Sequence, residues 1–253
     1  MTTDEARPEP VRLHAGGPGG GALSTGRLTL VLGGEAVDFE LTVPAGPASV
    51  EDLLPIFHGL SDLMGDRAIA RAAAAGATLS CRAGCGACCR QLVPVSASEA
   101  QAVARLVGAM PEPRQSRVRA RFAATVEALD QAGLLERLTG EGDLDGLGMD
   151  YFRLGLACPF LEDESCSIHP DRPTSCREYL VTSPASACAA PSAETIDLLP
   201  LDGDPSRALL KAEAAIGWSP LVLALTLEDE VGPPARERPG PELLGDLLRG
   251  LLP

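Results

Sequence analysis

Four cysteines crowd into nine residues, Cys81, Cys85, Cys88 and Cys89, and three more follow at Cys158, Cys166 and Cys176. Thiolates that share one ion must reach it at about 2.3 Å, which favours close spacing on pliable loops. Both segments have that character. Gly84 and Gly86 let the first wrap around an ion and aim N–H groups at the sulfurs, with Arg82 and Arg90 beside it to offset negative charge. In the second, the polar stretch Glu162 to Ser165 predicts a turn that brings Cys158 and Cys166 together. Pro173 and Cys176 predict a short helix whose N-terminal end supports a thiolate. Inert cysteines scatter through apolar positions, whereas these sit in polar loops, so the pattern points to metal rather than to packing or a redox disulfide.

The separate motifs agree in order. The C-x3-C-x2-C-C run, then C-P-F-L, C-S-I-H-x-x-R-P and C-R-E-Y, resembles the YkgJ-type cysteine-cluster family, described as a zinc- or iron-chelating domain, over about residues 78 to 180. The resemblance implies Cys81, Cys85, Cys88, Cys89, Cys158, Cys166 and Cys176 as the metal ligands. It also implies relatives among the flagellin lysine N-methylases, hence a possible use of S-adenosylmethionine. His169 stands where the family often has Tyr, which weakens it as an obligatory ligand.

Seven or eight thiols exceed one tetrahedral zinc or one four-iron cluster. Either two centres exist or some thiols support or react. Neighbouring side chains such as Cys88 and Cys89 rarely face one small ion. Many thiolates with few histidines suit an iron–sulfur cluster, though soft ligands suit zinc as well. The spacing Cys81-x3-Cys85-x2-Cys88 equals that of radical S-adenosylmethionine enzymes, but the strand–helix repeats of their partial barrel are lacking. The first reading is a metal-binding electron-transfer or redox module acting with a protein or redox partner. The alternatives are a cluster-dependent enzyme, such as a protein lysine methyltransferase, and a zinc-stapled interaction protein. Whether the chain is an enzyme stays open.

Other residues offer weaker chemistry. Arg114, Arg117 and Arg121 fall on one helix face, as an anion site or, more simply, a solvated face pairing with the chain's own carboxylates. His14 and His58 lack an obvious partner. Glu178 is placed to accept a hydrogen bond near Cys176. Cys188 is an eighth ligand or a free thiol. No Walker loop, GxGxxG turn, GxSxG elbow or HExxH helix occurs.

The 253-residue chain carries a formal charge of −14, which argues against nucleic acid as a partner. The N-terminus lacks the basic region and the roughly 7–15 residue apolar stretch of a signal peptide. No apolar run approaches the roughly 18–20 residues of a membrane span. The expectation is a cytoplasmic protein with reduced thiols and no membrane association.

The elements that must position the cysteines follow from periodicity. Residues 1–26, rich in Gly and Pro, are expected to be a disordered tail, and 27–253 a single α+β domain with the cluster motifs within 78–190. Leu28, Leu30 and Leu32, then Gly33-Gly34, then Val37, Phe39, Leu41 and Val43 predict a hairpin. A helix starts near Asp52 as N-cap and runs through the alanines to about Gly76. Ser96 to Glu99 is a capping box for the next helix, and a third runs from Pro113 to about Leu138. Gly140 to Gly148 reads as a loop. Strands are expected at Thr195–Leu201 and Leu221–Leu227, and helices at Ser206–Ile216 and Glu242–Leu251. The expected fold class is α+β, a helical cysteine-cluster core with a small antiparallel sheet from the N-terminal hairpin and the C-terminal strands.

Overall fold

Alternating leucines and valines on either side of Gly33-Gly34 do close into a hairpin, β2 (Leu23–Leu32) and β3 (Glu35–Pro44). Both glycines take positive φ, 57° and 86°, the conformation that a two-residue turn requires. The structure, a computed structural model, describes residues 8–16, 21–140, 145–192, 194–226 and 238–251. The expected tail is not all tail. Val11–His14 is a strand, β1, paired parallel to β3, so the sheet is mixed, with order β1-β3-β2. Two residues of alternation, Val11 and Leu13, are too short a signal, yet Leu13 packs closely on Gly59. Residues 1–7 and 17–20 of that stretch lie outside the described residues.

After the short strand β4 (Pro47–Ala48) comes α1 (Val50–Ala74). Its N-cap is Ser49 rather than Asp52, which instead closes the capping box from the third helical position. Leu53, Ile56, Phe57, Leu60 and Met64 form the buried stripe of α1, packed on Phe39 and Leu41 of the sheet. The helices α8 (Pro205–Ala212) and α9 (Gly240–Arg249) complete this core with Leu209, Leu244 and Leu247.

A second core backs the cysteines. Strand β5 (Pro94–Ser96) leads into α2 (Ala97–Gly108), whose Ser96/Glu99 capping box is formed as the sequence predicts. Helix α3 (Arg114–Gln131) stops earlier than expected, because Gly133 turns the chain at φ 68° and α4 (Leu135–Thr139) follows separately. The expected loop up to Gly148 ends sooner, since α5 (Leu147–Arg153) buries Leu147 and Tyr151; residues 141–144 lie outside the described residues. The second cysteine segment holds a two-strand hairpin, β6 (Leu161–Glu162) and β7 (Ser165–Cys166), then α6 (Thr174–Glu178) and α7 (Ala185–Cys188).

The expected C-terminal strands differ. Around Thr195–Leu201 only a single bridge forms, Leu198 to Val181. Leu221–Leu223 is a 3-10 turn with Leu221, Val222 and Leu223 all buried, so alternation there reflects apolar content rather than two faces. Leu227 lies outside the described residues. Strand β8 (Trp218–Pro220) pairs with β5, and β9 (Arg238–Pro239) with β4, so neither joins the hairpin sheet. The α+β class stands, with nine helices among the described residues and small sheets at four places. No helix among the described residues is long and apolar enough to cross a membrane.

Candidate metal centre

The two cysteine loops meet through their own backbones. The N–H of Cys158 donates to the carbonyl of Cys89 at 2.7 Å. Gly86 sits so close to the second hairpin that a Cβ there would lie 2.6 Å from Glu164 Oε2 and 2.7 Å from Leu161 Cδ1. A side chain there would require Leu161 and Glu164 to move and, at 3.3 Å, the Glu164 backbone to give way. Gly84, at φ 80°, supplies the left-handed turn between Cys81 and Cys85, and Ala87–Arg90 is a 3-10 turn bearing Cys88 and Cys89.

The hairpin between Cys158 and Cys166 has its turn at Asp163 and Glu164, both at positive φ (48° and 56°). Non-glycine residues resist that region. An ion pair holds Glu164 there: Arg90 reaches its two carboxylate oxygens at 2.7 and 3.0 Å and also donates to the Gly86 carbonyl at 2.9 Å. Arg90 therefore clasps loop to loop. Arg82 is exposed on the wall of a cavity of about 340 Å³ that it shares with Cys85, Arg90, Phe152 and Glu164.

Behind the hairpin, Phe160 and Ile168 enter the α2–α3 core, and Phe160 meets Phe122 edge-on at 5.4 Å. Burying such a ring contributes about 2–3 kcal/mol and fixes the segment that carries Cys158 and Cys166. The arginines of α3 hold it too. Arg114 donates to the Ser167 carbonyl at 2.8 Å, and Arg121 to the Pro159 carbonyl at 3.2 Å and to Glu162 at 3.0 Å. Two of the three arginines on that face thus grip the cysteine hairpin.

Helix α6, which carries Cys176, packs on α1. Glu99, buried, uses one oxygen for its own capping box and the other to accept the Thr174 N–H at 2.8 Å, capping α6 as well. Arg177 is buried and doubly bonded to Asp62 of α1 at 2.8 and 3.0 Å; it also donates to the carbonyls of Arg172 and Pro170. Glu178 does not serve the thiols. It accepts from Ser61 and from the amide and hydroxyl of Ser206, tying α6 to α1 and α8. Burial pushes its carboxyl up to about 7. Tyr179 accepts from Gln91 at 3.0 Å, and its carbonyl stands 4.0 Å from the Cys81 sulfur.

All eight cysteines are free. The charge of Cys88 acts on two groups of thiols, raising Cys158, Cys166 and Cys176 in the second cysteine segment, and Cys81 and Cys188 outside it. Cys188 is 4% exposed and sits in the second of these groups, near Cys81 and Cys85. Burial is the main cause that raises Cys158 to about 12 and lifts Cys166 and Cys176 as well. Cys88 is raised first by its thiol hydrogen bond with Cys89, then by burial. Against this rise, main-chain donors already face three sulfurs: the amides of Phe160, Ile168 and Val181 stabilise the charged forms of Cys158, Cys166 and Cys81. Among the described residues, no three His, Cys, Asp or Glu side chains stand close enough together to hold an ion as they are.

Residues 80–196 match the CxxCxxCC family model, described as "Putative zinc- or iron-chelating domain". That segment spans both cysteine loops and Cys188, and its description supports metal binding as the segment's function. No curated protein and no solved structure matches the chain. Among the described residues, four buried side-chain polar atoms have no hydrogen-bond partner, and three of them lie in the second cysteine segment: Ser167 Oγ, Arg172 Nε and Thr174 Oγ1. His169 is directed elsewhere, since its Nε2 contacts the Arg172 guanidinium.

Proposed function

We propose that Cys81, Cys85, Cys88, Cys89, Cys158, Cys166 and Cys176 hold a metal centre shared by the two loops, and that the centre is an iron–sulfur cluster in an electron-transfer module. The observation that carries the reading is the Cys158–Cys89 backbone bond, which joins the loops at their ligands, with amide donors already facing Cys81, Cys158 and Cys166. Thiols with raised pKa values stay protonated until a cation displaces the proton, so loading couples to deprotonation and to rotation of the cysteine side chains. A cluster would supply one-electron transfer. The residues around it exclude water on one side, through Phe160 and Ile168, and leave it reachable at Cys85 on the other. A redox protein is the partner this arrangement serves. Many thiolates with few histidines favour a cluster over zinc.

The test is anaerobic purification followed by iron, zinc and acid-labile sulfide analysis. Iron and sulfide in equal amounts, with visible absorbance bleached by dithionite, support the reading. A colourless protein carrying stoichiometric zinc replaces it with a structural clamp.

A further inference from the structure

Away from the cysteines, a cavity of about 610 Å³ opens between the first turns of α1, helix α2 and the loop that precedes α6. That volume lies within the roughly 300–1,000 Å³ of small-molecule sites. Its floor is apolar: Leu54 and Val103 are buried there, with Ala102 and Leu106 beside them. An ion pair between Glu51 on α1 and Arg105 on α2, both in the wall, ties the two helices together across it. No cysteine lines the cavity, so an occupant would need no metal.

Two polar groups in the wall are unspent. Asp171, on the loop before α6, is exposed, and among the described residues its carboxylate has no cation and no donor. His58, on the α1 wall, has no hydrogen bond to either ring nitrogen among the described residues. Burial, then the charge of Arg177, keeps that ring neutral down to about pH 4. It therefore offers a lone pair and carries no charge to repel a cation. The two walls are joined through side chains. Asp62, one turn beyond His58, holds Arg177, which donates to the carbonyl of Pro170 beside Asp171.

The other polar groups of the wall are occupied. Asp52 and Glu99 close the capping boxes of α1 and α2, and Arg105 is paired with Glu51. Glu51, Asp52 and Asp171 outnumber that one guanidinium, so the charge of the cavity selects for a cation and against an anion. An apolar floor beneath an acidic wall with two open acceptors fits one class of ligand.

We propose that this cavity binds a small organic amine, its apolar body along Leu54, Val103 and Leu106 and its ammonium head bonded to the Asp171 carboxylate and a His58 ring nitrogen. An ammonium carries three donors, which suits acceptors on two separate walls.

Titration calorimetry of the full chain with n-hexylammonium, at pH 7 and fixed ionic strength, tests it. Binding should saturate at one site with a Kd of about 1 mM or tighter. Hexanol, which lacks the charge, and hexanoate, which reverses it, should each bind at least about 10-fold more weakly. Methylammonium, which lacks the apolar body, should bind about 100-fold more weakly. The chain has three histidines, so the His58 ring protons, identified by their loss in His58→Gln, can be followed by NMR and should shift on addition of hexylammonium. Asp171→Asn, on an exposed side chain, should weaken hexylammonium about 10-fold and leave hexanol unchanged, a split that a merely structural role would not produce. Ala102→Leu, which fills the floor, should weaken both alike, with folding of each variant checked by circular dichroism. Absence of saturable binding to the wild type overturns the proposal. So does methylammonium or hexanoate binding as tightly as hexylammonium, or hexylammonium binding unchanged in Asp171→Asn with the His58 signals unmoved in the wild type.

Discussion

The amide of Cys158 donates to the carbonyl of Cys89 at 2.7 Å across a sequence separation of 69, so the two loops share a hydrogen bond between cysteines. A fold that joins its thiols this way stakes the site on loop-to-loop contact. Each contact can be broken separately.

Gly86→Ala would drive a methyl group into Leu161 and Glu164. Because the Glu164 backbone itself is 3.3 Å from that position, side-chain motion alone cannot relieve it. The expected cost is about 1–3 kcal/mol, with metal content falling alongside the melting temperature. Thermal melts and metal analysis on the same sample check both.

Arg177→Met should be more damaging. It strands Asp62 and removes donors from the carbonyls of Arg172 and Pro170. Breaking one side of a buried pair costs about 3–5 kcal/mol, and about 2–4 kcal/mol here because Asp62 is half exposed (51%). Denaturant unfolding of the single variants and of Arg177→Met with Asp62→Ala should show strong non-additivity.

His58 gives a pH signature. Burial, then the charge of Arg177, holds it at about 4 against an ordinary value of 6.5. As pH falls the unfolded chain takes the proton first, so stability is complete above pH 6.5 and drains towards pH 4. His58→Gln should flatten that decline by about 2–3 kcal/mol. Equal slopes for variant and wild type between these limits would show that His58 is not held neutral.

Metal uptake should release protons, because buried thiols such as Cys158 and Cys176 hold theirs until a cation arrives. Affinity for zinc or cobalt should therefore rise with pH by more than tenfold per unit between about pH 6 and 8. Calorimetry in buffers of different ionisation heat counts the protons.

The cysteine segments, the β2–β3 hairpin and the Ser96/Glu99 box were legible because each is a local pattern with a local cause. What decides the site is non-local. Glu99 reads as a cap, and nothing in its spacing says that its second oxygen caps α6, 75 residues away. Arg114 and Arg121 read as a solvated stripe, yet they hold the hairpin through the carbonyls of Ser167 and Pro159, which a side-chain pattern does not encode. Arg177 and Glu178 sit inside the C-R-E-Y motif, but their partners Asp62, Ser61 and Ser206 lie on distant helices. The leucines at 221 and 223 mislead because burial on all sides erases the contrast that periodicity needs.

Cys88 acts on thiols of both groups, and its substitution tests the shared centre most directly. Metal content of anaerobically purified Cys88→Ala, measured against wild type on folded protein, should show loss of most of the bound metal, with Cys81 and Cys166 both newly open to alkylation. Full metal content and unchanged alkylation at both cysteines would contradict a centre built jointly by the two loops.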